Sequence, residues 1–228
     1  MALNRDTVVA SAIELADAEG IDAVSMRTLA AGLGVVPMAL YKHVSNKDEL
    51  VGAMVARVIG EIAAPAPSGA WRADARALLE AARATQHRHP WAWSAIESQG
   101  APTTAALDHM EAMISRLRQG LTAPLAHQVM HALGSRLWGF SQEVFSSPPP
   151  SDPQVAAAAA AMLAERWPFV LESAISASHG PDGIVGPGCD DEAEFIFAID
   201  LILDGAERLA AESEGINAVW LTPAPRAP

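Results

Sequence analysis

Within its first 60 residues this chain sets helix-starting and helix-stopping residues so close together that only short helices joined by tight turns can form there. Asn4 is a suitable N-cap for a helix from about Asn4 to Glu19, in which Val9, Ala12, Ile13 and Ala16 recur at helical spacing. Gly20 stands where a C-terminal cap belongs. Ser25 caps a second helix, "MRTLAAGL", with Met26, Leu29, Ala30 and Leu33 as its apolar stripe, and Gly34 then turns the chain. Pro37 fits the first turn of a third, short helix, where its missing amide hydrogen does no harm. Ser45 or Asn46 opens a fourth, with Asp48 and Glu49 at the positive end of its dipole and Leu50, Met54, Val55, Val58 and Ile62 along it.

Two short helices joined by a glycine-containing turn and propped by a first helix make a helix-turn-helix. In that arrangement the second helix of the pair enters the DNA major groove, and cations near helix starts hold phosphates. Within "LGVVPMALYKHV", Leu40 lies about 200° around the axis from both Met38 and Lys42, at roughly 100° per residue. With Leu40 inward, Met38 and Lys42 face out and Tyr41 flanks them. Met38 and Ala39 then suit thymine methyl groups, and Tyr41, Lys42 and His43 suit phosphates. Lys47 and Arg27 can reach the same backbone. The competing use of Tyr41 and Lys42, as catalytic acid and base, fails on geometry. Adjacent helical residues do not face each other, and the residue four beyond Tyr41 is Ser45.

These residues carry a resemblance. "SMRTLAAGLGVVPMALYKHVSNKDELV" resembles the DNA-binding segment of the tetracycline-repressor (TetR) family of bacterial regulators over about residues 5–60. The matching features are the Gly20-Ile21 turn, Ser25-x-Arg27, Leu33-Gly34-Val35, Leu40-Tyr41-x-His43-Val44 and Lys47-x-x-Leu50. The resemblance implies phosphate contacts from Arg27, Tyr41, His43 and Lys47, and base-edge contacts from Pro37, Met38, Ala39 and Lys42. Pro37 and Met38 have no side-chain donor, so specificity would rest on Lys42, apolar contacts and DNA shape. "HRHPW" and "FIFAIDLILDGAERL" are more weakly similar to the family's ligand-binding domains.

"APAPSGA" (64–70) separates this unit from a larger region that is again helical. Helices are expected from Trp71 to about His89, briefly after Pro90, from Pro102 to Gly120, from Ala123 to about Phe145, from Gln154 to about Ser178 with a kink at Pro168, and from Glu192 to Ala211. "HGPDGIVGPGCDD" reads as a loop, either a lid or plain disorder, and "TPAPRAP" as a disordered tail. The expected fold is therefore all-α: a helix-turn-helix domain over 1–63, a helical ligand-binding and dimerisation domain over 71–212, and a tail over 213–228. Hydrophobic residues make up 50% of the chain, enough for a sizeable core. No apolar run is long enough to span a membrane, and "MALNRDTVV" lacks a signal peptide's pattern, so a cytoplasmic protein is expected. The one cysteine, Cys189, has no partner for an internal disulfide.

Net charge argues against general nucleic-acid affinity. The whole chain carries −12, and its first 60 residues hold five Lys/Arg against seven Asp/Glu, which leaves −10 for the remainder. Cations that meet DNA must therefore be positioned rather than numerous. Half-sites are read in pairs, so a homodimer is expected, built on the apolar helices 123–145 and 192–211. Trp91, Trp93, His109, Met110, Met113, His131, Trp138 and Phe140 are candidates for a small-molecule pocket, each of them equally suited to plain core. His127 and His131 have a spacing that could hold a metal, but acidic partners are not near in sequence, so no metal and no cofactor are expected.

Together these readings point to a ligand-responsive regulator, a repressor that a small apolar or aromatic effector releases from a double-stranded operator. A phosphate-binding loop, a nucleophile elbow and a Cys-His pair are all missing from the sequence, so an enzyme is not expected. The alternative is a helical small-molecule-binding or interaction protein of the same fold that has lost DNA binding.

Overall fold

The computed structural model describes residues 3–138, 152–177 and 191–215, and all regular structure among them is helical. The helices are α1 (Arg5–Glu19), α2 (Met26–Gly32), α3 (Pro37–Leu40), α4 (Lys47–Gly60), α5 (Trp71–Arg88), α6 (Ala92–Ser98), α7 (Thr104–Leu117), α8 (Ala123–Trp138), α9 (Pro153–Arg166), α10 (Pro168–Ala177) and α11 (Asp191–Gly215). A 3-10 turn, Ile21–Ala23, lies between α1 and α2.

Side-chain caps fix most of the early boundaries. Asn4 Oδ1 accepts from the Thr7 amide at 2.8 Å, and α1 ends at Gly20, whose φ of 86° favours glycine. Ser25 and Thr28 form a reciprocal capping box at the start of α2. Asn46, rather than Ser45, caps α4 by accepting from the Glu49 amide at 2.8 Å.

By internal contacts the chain divides into two units, 1–138 together with 203–228, and 139–202. In the first, α1 buries Val8, Val9, Ala12, Ile13 and Ala16 on one face. That face meets Leu29, Leu40, Val44 and the buried stripe of α4 in a single cluster. The cluster does not stop at the 64–70 segment: Trp91, Ala92 and Ala95 belong to it as well. Behind it α5 packs on α7 and α8, and α8 buries Ala126, Val129, Leu133 and Leu137. The 64–70 segment is itself tied down. Asp74 on α5 accepts from the amides of Ser68 (2.9 Å) and Gly69 (3.0 Å) and from the Ser68 hydroxyl (2.8 Å). Those bonds, that from the Ser68 amide foremost, hold the Asp74 carboxyl below its ordinary 3.8.

In the second unit, α9 packs against α10. The sequence led us to expect one kinked helix here, but the chain breaks. Trp167 leaves the helical region at φ −137°, ψ 61°, and Pro168 starts a new helix, because proline lacks the amide and clashes with the preceding turn. α11 begins at Asp191 and runs to Gly215, beyond the expected end at Ala211, and buries Phe195 and Ile199 in this unit. Residues 139–145 of the expected 123–145 helix, the 179–190 part of the Gly/Pro loop and the tail after 215 lie outside the described residues. No described helix is long and apolar enough to cross a membrane.

Candidate nucleic-acid interface

The turn before α3 is set by backbone hydrogen bonding. Gly34 takes φ 67°; its amide donates to Ala31 O at 3.2 Å, and the Val35 amide donates to Ala30 O at 3.0 Å. This pair of bonds closes α2 and leaves Val35 partly buried against the core. Pro37 then opens α3. Regular helix ends at Leu40, and Val44 and His43 both donate backbone amides to Leu40 O (3.1 and 2.8 Å) to continue as a tight turn. Leu40 and Val44 are buried to 0% and 1% exposure and anchor the segment.

What faces out is then determined. Met38 is 72% exposed and Tyr41 48%, with Pro37 and Lys42 exposed and Ala39 and His43 half-buried. Arg27 is exposed in the first turn of α2, and Lys47 is exposed as the first residue of α4. All eight residues named from the sequence therefore sit on α2, on α3, in the turn that follows α3 and in the first turn of α4. Most cations elsewhere in the N-terminal region are paired: Arg5 with Glu49 at 2.9 Å and Arg57 with Glu61. Arg27, Lys42 and Lys47 form no ion pair with any described residue. Glu49 is also spoken for. Its Oε2 accepts from the Ser45 amide at 2.7 Å, which with Arg5 holds its carboxyl below the ordinary 4.5. The acidic count of this region thus overstates the negative charge its open face presents.

The pocket residues scatter. Trp93, His109 and Met110 line one groove of about 250 Å³, together with Val55 and Ile59 of α4, Ile62 just beyond it, Ile96 of α6 and Gln99 just after α6. The Trp93 indole N–H is satisfied by the Gln86 amide, oriented so that its oxygen accepts at 2.9 Å while its nitrogen donates to Leu137 O. Burial, with help from the Arg116 guanidinium, holds the His109 imidazole below its ordinary 6.5. Trp91 is 6% exposed in the N-terminal core, where its N–H donates to Asp17 Oδ1 at 2.6 Å. Met113 is buried. His131 is exposed on α8, edge-on to His127 with ring centroids 4.6 Å apart. The Trp138 side chain and Phe140 lie outside the described residues. Among the described residues no group of three or more His, Cys, Asp or Glu could hold a metal ion.

Residues 8–54 match the family model for bacterial regulatory proteins of the tetR family. Over nearly its whole length the chain is 33% identical to the HTH-type transcriptional repressor DrrR1 of Streptomyces coeruleorubidus, an alignment that covers 95% of this chain and 82% of that one. The chain belongs to the TetR family. It is a DNA-binding transcriptional regulator with a helix-turn-helix. Solved TetR-family structures share its fold. ActR of Streptomyces coelicolor, in complex with (S)-DNPA, superposes with a TM-score of 0.67 at 24% identity over 92% of this chain and 100% of that one. BioQ, solved for Mycobacterium smegmatis and also with its double-stranded DNA operator, gives a TM-score of 0.60 in the operator complex at 20% identity, over 91% and 99%.

Two features of this TetR-family chain escape a reading of the sequence. Val36, 68% exposed beside Met38, is a third apolar side chain on the open face. Its position before Pro37 as the helix N-cap was the available signal. The groove wall formed by Val55 and Ile59 of α4 and by Ile62 just beyond it also went unnoticed, although the three recur at i, i+4, i+7.

Proposed function

We propose that this regulator represses transcription as a homodimer and leaves its operator when a small apolar or aromatic effector fills the groove between α4, α6 and α7. Arg27, Tyr41, His43 and Lys47 grip phosphates; Pro37, Met38, Ala39 and Lys42 meet base edges, with Val36 beside them. The observation that carries this reading is the open face of α3. Two large apolar side chains, Val36 and Met38, stand in solvent beside three unpaired cations, among the described residues, on an anchor that is fully buried. Exposed apolar groups without a binding role are costly to keep in such a cluster, and thymine methyl groups flanked by phosphates complement it.

Support for the effector comes from the groove's position. α4 carries Lys47 at its first turn and Val55 and Ile59 in the groove wall, so a molecule that spreads the wall shifts one phosphate anchor directly. ActR shares this fold and has been solved with actinorhodin. For the dimer, the support is α11, where exposed Phe197, Leu201 and Leu209 are spaced at multiples of four, with Gly205 in the same series.

A selection of duplexes from a random pool, followed by footprinting, tests the reading. A two-fold symmetric site bound by two copies is the expected result. Binding without sequence preference, or by a single copy, would sink it.

A further inference from the structure

Apolar residues make up most of the groove between α4, α6 and α7, but one end is not apolar. His109 stands there on α7, and two turns further along the same helix is Arg116, only 7% exposed. The Arg116 side chain folds back toward the start of its helix: one terminal nitrogen donates to Ala112 O at 2.8 Å, which brings the guanidinium to within about one turn of His109. A second nitrogen donates to Pro65 O at 3.3 Å, just beyond the end of α4. The third, Nε, is buried and has no hydrogen-bond partner among the described residues. No carboxylate of the described residues forms an ion pair with Arg116, and Asp74, the acid nearest in its influence, spends its oxygens on Ser68 and Gly69. A buried guanidinium whose hydrogen bonds go to carbonyls alone, with one N–H unfilled and the Asp74 carboxylate attracting it from beyond ion-pair distance, has room for a second anion. Nothing on the other walls adds a charge: Val55, Ile59 and Ile62 at α4 and its end, and Trp93, Ile96 and Gln99 at α6 and its end, are none of them titratable.

We propose that the effector is an aromatic acid, its ring lying along Trp93 and the α4 stripe and its anionic group lodged at His109, facing the charge of Arg116. The inference rests on the groove being the effector site. In the empty groove burial and Arg116 both disfavour the charged form of His109. The negative charge of a bound anion opposes both, so the imidazole takes up a proton as the acid binds and donates a charge-assisted hydrogen bond to it. The carboxylate also faces Arg116, adding to the attraction that Asp74 already supplies. A neutral aromatic of the same shape fills the apolar part of the groove and gains neither term. Effector binding is thereby coupled to proton uptake.

The test uses matched pairs of probes, benzoate with benzamide and 2-naphthoate with 2-naphthamide, titrated calorimetrically into the full-length protein in buffers of different ionisation enthalpy. Carboxylates are expected to bind about tenfold or more tightly than their amides, the scale of one charge-assisted hydrogen bond. Their affinity should fall as pH rises from about 6 to 8, through the range where histidine titrates, with proton uptake on binding, while amide affinity stays flat. His109→Ala should erase the proton uptake and most of the preference of acid over amide. Arg116→Gln, with its fold checked by thermal denaturation, should reduce the preference further. Equal binding of acid and amide, or a preference for the amide, overturns the proposal and leaves the groove reading standing. If no probe of either series binds, or Trp93→Ala leaves all binding unchanged, the groove reading fails and the proposal falls with it.

Discussion

The helix α3 and the helix α7 break the ordinary rule of burial in opposite directions. Around α3 large apolar side chains stand outside, Met38 at 72% and Tyr41 at 48% exposure, while on α7 a charged one is inside, Arg116 at 7%. Elsewhere in the first unit the apolar core is closed, with Val8, Leu29, Leu50 and Leu117 all at 2% exposure or less, although Arg83 at 6% and Asp74 at 7% are buried too. An exposed apolar cluster and a buried unpaired charge both cost stability unless something arrives to cover them. For α3 the proposed cover is the floor and walls of a DNA groove. For α7 it is, on the proposal above, a small molecule with a charge of its own. Both readings take an inversion of burial as the mark of a partner's place.

If α3 is inverted for DNA, then its inward anchor and its outward face must behave differently under mutation. Leu40→Ala should cost about 2–5 kcal/mol in urea denaturation, because a fully buried leucine leaves a cavity, and operator binding should go with it. A cost below about 1 kcal/mol would mean the anchor is not the core residue described, on the same cavity scale. The helices behind α3 should tolerate added volume equally badly. A Cβ at Gly120 would lie 2.2 Å from the Trp71 indole, so Gly120→Val should destabilise by about 1–3 kcal/mol with the operator sequence preference unchanged. Unchanged stability would show that α5 and α7 are not held together as described.

Buried polar groups in the second region should show in the pH dependence. The Asp74 carboxyl is held below 3.8, so its contribution to stability is present above that value and is lost as pH falls through its lower folded value. Asp74→Asn should therefore weaken the protein at pH 6 and flatten the acid limb of its stability profile. A variant whose acid limb is identical to wild type would contradict the tether from Ser68 and Gly69. The smallest stability effect is expected on the open face. Met38→Ala should change stability by no more than about 0.5 kcal/mol, as surface substitutions do, and yet relax preference at the base pairs it covers. Equal loss of stability and binding would return Met38 to the core.

How much of this could be read beforehand followed from range. Caps and turns are local, so Asn4, Gly20, Ser25, Gly34 and Pro37 located the first helices within a residue or two. The inward turn of Leu40 was also legible, since helical geometry alone puts it opposite Met38 and Lys42. The groove was not. Trp91 and Trp93 are two residues apart, yet one seals the N-terminal core on Asp17 and the other lines a cavity, a choice made by helix packing and invisible to composition. Arg116 gave no signal at all, because an arginine in a helix reads as a solvated charge until its burial is known. Pro168 was seen as a kink where it is a break, a matter of how far the preceding residue leaves the helical region.

The central claim is that the open face formed by α3 and the starts of α2 and α4 holds DNA through placed cations. Its most direct test is the salt dependence of operator affinity for wild type and Lys42→Ala, on the duplex that selection returns. Each phosphate contact contributes close to one unit to the slope of log affinity against log salt. The account predicts weaker binding by Lys42→Ala, a slope shallower by about one per half-site, and an unchanged melting temperature. An unchanged affinity and slope in a folded variant would mean that Lys42 faces away from the phosphates, and that the face described here is not where this regulator meets its operator.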